Sequence, residues 1–127
     1  MKPDWKIIAT NEAPQAIGPY SQAVQVGSLL FVSGQIPLTP DGGSMPADFA
    51  AQARQALANL AAVVRAAGGE LTAVAKVNVY LVDLGHFQVF NDIYAQFFGD
   101  HRPARAVVQV AALPRGAQVE VEAVAVL

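Results

Sequence analysis

The chain has 127 residues, of which 54% are hydrophobic and only 14% charged, with no cysteine and a net charge of −2. That length favours one domain, 1–127, able to bury roughly two thirds of its unfolded surface in a single core. The lack of cysteine excludes a disulfide scaffold, thiolate zinc sites and a cysteine nucleophile, and eight Lys and Arg that form no run offer nucleic acid no basic patch.

So few charges leave a small sphere short of polar cover, which points to surface buried between subunits. No apolar run approaches the roughly 18 residues that a membrane span needs. The opening MKPDWKIIAT has no apolar signal core. A soluble cytoplasmic protein with no membrane partner is the expectation.

The first clear strand signals are SQAVQV (21–26) and LLFVSGQ (29–35), joined by Gly27-Ser28, a pair suited to a two-residue type II′ hairpin. In that register Val26 faces Leu29 and Gln22 faces Ser33, so Tyr20, Gln22, Ser33 and Gln35 are expected on one sheet face. PLTPDGGSMP (37–46) reads as one loop. Residues 47–69 then carry a single apolar stripe of Phe49, Ala53, Ala56, Leu57, Leu60, Val63, Val64 and Ala67, the spacing of a helix. Asp48 suits its first turn and Gly68-Gly69 its end. AVAKVNVYLV (73–82) alternates as a strand, with Val77, Val79 and Leu81 opposite Lys76, Asn78 and Tyr80. Asp83 is the candidate N-cap of a second helix, roughly 84–98, with Phe87, Phe90, Tyr94, Phe97 and Phe98 on its core side and Gly99 at its end. The chain closes with runs near 104–112 and 117–127, read as a hairpin around LPRG. The order strand, hairpin, helix, strand, helix, hairpin predicts an α+β two-layer sandwich with both helices on one sheet face. The other face is the expected oligomer surface.

Few groups are candidates for chemistry. His86 and His101 share no ligand spacing, so no metal site is expected. No phosphate-binding glycine loop occurs, and no nucleophile elbow surrounds Ser21, Ser28, Ser33 or Ser44. Ser33 reads as a strand-end serine bonded to backbone or as a site hydroxyl. Tyr20, after the Gly18-Pro19 turn, is a packing or a pocket residue. Arg105 follows a proline-started strand and shares its face with Val107 and Gln109. It is either an exposed strand charge or a bidentate clamp for a small carboxylate. Glu120 and Glu122 share a face with Val124 and Val126, and Glu122 reads as a solvated or structurally paired carboxylate. A hairpin centred on Pro114-Arg115 sets Glu120 opposite Gln109, about 13 Å along the strand from Arg105. The two therefore do not bridge, and Arg105 needs a partner from elsewhere.

Taken together, AIGPYSQAV (16–24), FVSGQIPL (31–38), FAAQARQALANL (49–60), NDIYAQFF (91–98) and RPARAVVQVAALPRGAQVEVEAVA (102–125) resemble the RidA (YjgF) family, from about residue 7 to residue 127. The resemblance implies a chorismate-mutase-like sandwich, a mixed sheet with two helices on one face. It implies a homotrimer with sites between neighbouring subunits. The implied activity is that of a 2-iminobutanoate/2-iminopropanoate deaminase. Such an enzyme hydrolyses reactive imino acids and enamines, of the 2-aminoacrylate and 2-iminobutyrate type, to 2-oxo acids and ammonia without a cofactor. Their source is pyridoxal-phosphate dehydratases acting on serine and threonine. Carried over by position, Arg105 is the carboxylate-binding arginine and Glu120 the glutamate associated with the catalytic water. Tyr20, Ser33, Gly34 and Asn91 are pocket residues. Val107 stands where many members have cysteine, which leaves a backbone contribution and removes any thiol role. The 13 Å separation on one hairpin adds the expectation that the site draws on a neighbouring subunit. The alternatives are a non-catalytic trimeric 2-oxo acid binding protein, and an endoribonuclease or translation inhibitor, which the acidic balance disfavours. A holdase role has no motif to test.

Overall fold

A computed structural model describes residues 2–127. The expected first hairpin is present, with β2 (Ala23–Val26) antiparallel to β3 (Leu29–Gln35) and Val26 opposite Leu29. Gly27 at φ 59° starts its turn, and Ser28 is not at positive φ, as type II′ requires and type I′ does not. A short strand β1 (Trp5–Ile8) adds to the outer edge of β2.

Helix α1 (Phe49–Ala66) begins where its chemistry dictates: the Asp48 carboxylate accepts from the Ala51 N–H at 3.0 Å. Every residue of the predicted stripe from Phe49 to Val64 is buried. Two polar residues are buried with it. Asn59 donates to the carbonyls of Ile36 and Leu38, and Gln52 spans from the Pro46 carbonyl to the Gln118 N–H. These bonds fasten two loops to the helix and so fix one wall of the cavity described below.

After β4 (Val74–Leu81), Asp83 caps a short 3-10 turn at 84–86, accepting from Gly85 N–H, before helix α2 (Phe87–Phe98). Gly99 ends α2 at φ 64°. Phe90, Tyr94 and Phe98 are buried as expected, but Phe87 is 40% exposed, and Ile93 takes the remaining core place.

The closing hairpin does not form. β5 (Ala104–Gln109) pairs parallel with β4, and β6 (Val119–Val126) pairs antiparallel with both β3 and β4. The sheet order is β1-β2-β3-β6-β4-β5, so β4 is inserted between the two expected partners. The physical reason is the strand–helix–strand unit formed by β4, α2 and β5, whose crossover makes the two strands parallel neighbours. Gln109 and Val119 flank Leu81 from either side, so residues 110–118 arch over the end of β4 instead of turning back on β5.

Both helices cover one face of this mixed sheet, confirming the two-layer α+β architecture. Alternation along each strand puts Val77, Val79, Leu81, Val119, Val121, Ala123 and Ala125 in the core beneath them. The opposite face is open in the single chain and exposes Trp5, Ile7, Leu29, Phe31, Val108 and Val126.

Candidate active site

One irregularity in the sheet shapes the first cavity. Val32 pairs with Ala123 and Gln35 with Val121, so three steps on β3 match two on β6. The extra residue is a β-bulge at Ser33-Gly34. It corrects the expected polar row: Gln35 is turned opposite buried Val121 and is itself buried, away from the face of Ser33. Gln22 is also a structural pin. It accepts from the Thr10 N–H at 2.7 Å and donates to the Pro14 carbonyl at 2.7 Å, tying segment 10–14 to β2.

The bulge carries Gly34 onto the Glu120 side chain. A Cβ at Gly34 would lie 2.8 Å from Glu120 Cδ, so only glycine leaves the carboxyl where it is. Glu120 lines a cavity of about 300 Å³ with Tyr20, Gln22, Gly34, Gln35 and Arg115 among its walls. Burial, and then the charge of Glu122, hold its carboxyl above the usual carboxylate range. Tyr20 is half exposed, and its phenol oxygen accepts from the Ile17 N–H at 3.3 Å. Ser33 lines neither cavity described here; its hydroxyl donates to the Ser21 carbonyl at 2.6 Å.

Arg105 is elsewhere. It stands beside Val77 on the helix-covered face, whereas Glu120 stands beside Tyr80 on the open face. The two groups therefore occupy opposite sides of the sheet, with β4 between their strands. The expected separation holds within this chain, but its cause is the inserted strand and not distance along a hairpin. Arg105 lines a second cavity, of about 260 Å³, with Asn91, Tyr94, Ala95, Arg102 and Pro103. Its guanidinium carbon lies 4.8 Å from the centre of the Tyr94 ring and 6.0 Å from that of Phe87. Arg105 has no acidic partner among the described residues, the single ion pair there being the exposed Arg65–Glu70. Asn91 Oδ1 and the Tyr94 hydroxyl are buried beside it without any hydrogen-bond partner. Val107, two residues on, packs partly against the core from the edge strand.

Glu122 behaves as a paired structural carboxylate. The Tyr80 hydroxyl donates to it at 2.5 Å and the Asn78 amide at 3.2 Å. That bond, with burial, pushes the Tyr80 phenol up to about 12. Among the described residues no group of His, Asp and Glu could hold a metal ion. Among the described residues no helix is long and apolar enough to cross a membrane.

The model of the family described as Endoribonuclease L-PSP matches residues 10–127. The chain belongs to this family, the RidA family. A RutC family protein of Sinorhizobium fredii is 53% identical over 118 residues, covering 92% of this chain and 94% of that protein. A Bos taurus protein named 2-iminobutanoate/2-iminopropanoate deaminase is 49% identical over 122 residues, covering 95% of this chain and 89% of that one. Among solved structures, that of E. coli TdcF with bound serine superimposes with a TM-score of 0.93 at 48% identity, covering 96% of this chain and 98% of that chain. The RidA fold thus agrees with the sheet order and helix placement found here. Sequence reasoning missed Tyr94 as a site residue, because its spacing on α2 is that of the core and nothing in the spacing marks its hydroxyl as unpartnered.

Proposed function

We propose that this protein hydrolyses reactive 2-imino acids and their enamine tautomers to 2-oxo acids and ammonia, at sites completed between copies of the chain. The observation that carries this is the pair of unsatisfied half-sites. Arg105 is a cation without an ion-pair partner among the described residues, Glu120 is a partly desolvated carboxylate, and the fold keeps them on opposite faces of the sheet. A small ligand with an anionic end and a cationic nitrogen fits between such groups when a second copy supplies the missing half. The names of the bovine and E. coli relatives, 2-iminobutanoate/2-iminopropanoate deaminase at 49% and 48% identity, support the same reading.

The chemistry balances without further reagents. Arg105 binds the carboxylate bidentately, which sets the position of the imine carbon. Glu120 takes a proton from water as the water oxygen bonds to that carbon. That proton passes to the nitrogen, and as the C–N bond breaks Glu120 takes the remaining hydroxyl proton and hands it to the departing ammonia, so the protonated imine and water leave as a 2-oxo acid and ammonium. A carboxyl held above its usual range by burial accepts a proton more readily than an ordinary glutamate, as a group that takes and returns one must. Tyr20 borders the Glu120 cavity and Asn91 the Arg105 cavity. We assign both to substrate contact, with Val107 contributing through its edge-strand backbone. Ser33 contributes indirectly, its hydroxyl bond to the Ser21 carbonyl joining the segments that carry Gly34 and Tyr20. Water is the only co-reactant this scheme needs.

The exposed apolar row on the open face supports assembly, which we take to be a homotrimer. We place the protein in the cytoplasm. The family's ribonuclease description is not extended to this chain, since its ten acidic residues outnumber eight Lys and Arg. The test couples the purified protein to threonine dehydratase and follows imine trapped by semicarbazide. Added protein is expected to suppress trapping; unchanged trapping overturns the enzyme and leaves 2-oxo acid binding as the reading.

A further inference from the structure

The cavity beneath α2 contains a side chain that the fold alone does not account for. Tyr94 is 7% exposed, and its ring packs between Phe90 and Phe98, with centroids 5.7 and 4.6 Å away. A phenylalanine would fill that space equally well. The hydroxyl has no partner, and a buried hydroxyl left unpaired is a net cost to folding. The hydroxyl lies in the field of both Arg105 and Arg102, and burial, the largest influence on it, holds the phenol above its usual range. At neutral pH it is therefore a protonated donor without an acceptor, on a side chain that lines the cavity with Arg105 and Arg102. Arg105 itself has no acidic side chain to orient it and rests on the Tyr94 ring at 4.8 Å.

We propose that Tyr94 is a positioning residue of this site: its ring holds the Arg105 guanidinium, and its hydroxyl donates to the ligand carboxylate that the guanidinium binds. The proposal rests on the functional reading above and adds a residue to it. It also explains why a costly hydroxyl occupies a core position.

The variant Tyr94→Phe keeps the ring and removes only the hydroxyl. For dehydratase-generated 2-iminobutyrate its KM is expected to rise about tenfold, the low end for one hydrogen bond to a charged group, with kcat within about twofold. The Kd for 2-oxobutyrate, by calorimetry, should rise in step. The Tm should equal or exceed that of the wild type, since an unpaired buried group has been removed. An unchanged KM and Kd would overturn the assignment, as would a Tm lowered by several degrees, which would make the hydroxyl structural. A wild type that neither hydrolyses the imine nor binds 2-oxobutyrate would overturn the functional reading, and Tyr94 with it. An active wild type with an indistinguishable variant would overturn Tyr94 alone.

Discussion

The two cavities make an instructive contrast. The one beside the β3 bulge has an acidic centre, Glu120, seated where Gly34 has no side chain. The one beneath α2 has a cationic centre, Arg105, seated on aromatic rings. Among the described residues neither centre forms an ion pair, and the sheet between them keeps them from pairing with each other. A fold that keeps both groups uncompensated forgoes an obvious ion pair, and it retains two charges ready for a ligand.

The largest effect expected on this contrast is from Arg105→Ala, which should lower kcat/KM about a thousandfold, the scale for removing one partner of a desolvated charge pair. The Tm should fall only slightly, because Arg105 makes no ion pair and loses only its stacking on Tyr94. A comparable loss of Tm would break the assignment.

Glu120→Gln should lower kcat about a hundredfold and remove the acid limb of the pH–rate profile. It should also raise Tm at neutral pH. The carboxyl's folded pKa lies above its ordinary value of 4.5, so the folded chain holds this proton more tightly than the unfolded one. Stability is therefore lost as pH rises from that ordinary value through the raised one, and glutamine escapes the loss. The difference in Tm between the proteins should vanish at pH below 4.5.

Refolding the two inactive variants together tests whether the halves belong to different copies. Random trimers of Arg105→Ala and Glu120→Gln chains should recover about a quarter of wild-type sites, each with Arg105 from one copy and Glu120 from the next. No recovery would break the comparison at its root.

Gly34→Ala should lower kcat about tenfold by displacing the Glu120 carboxyl, with little change in KM if the Arg105 half is untouched. The smallest effect belongs to Tyr80→Phe, which removes one bond to Glu122. It should cost about 1 kcal/mol of stability in denaturant unfolding and leave kcat alone.

Local physics made several elements legible. The type II′ turn at Gly27-Ser28 and the stripe of α1 follow from two-residue turn geometry and helical periodicity. Strand alternation assigned Arg105 the face of Val107 and Gln109 before any pairing was known. The bulge escaped that reasoning, because a single unpaired residue leaves no mark on composition, yet it reverses Gln35 and brings Gly34 to Glu120. Phe87 and Tyr94 have core spacing, and only the placement of β5 turns them into the surface on which Arg105 lies.

The sequence by itself determined the local elements, the inward and outward sets on each strand, and the short roster of groups able to do chemistry. Neighbours within a few residues decide those matters. The tertiary structure decided that β4 separates β5 from β6, and so that Arg105 and Glu120 serve different cavities. Strand order depends on contacts between segments far apart in the chain, and the alternation of 104–109 and 119–126 is the same whichever strand lies between them.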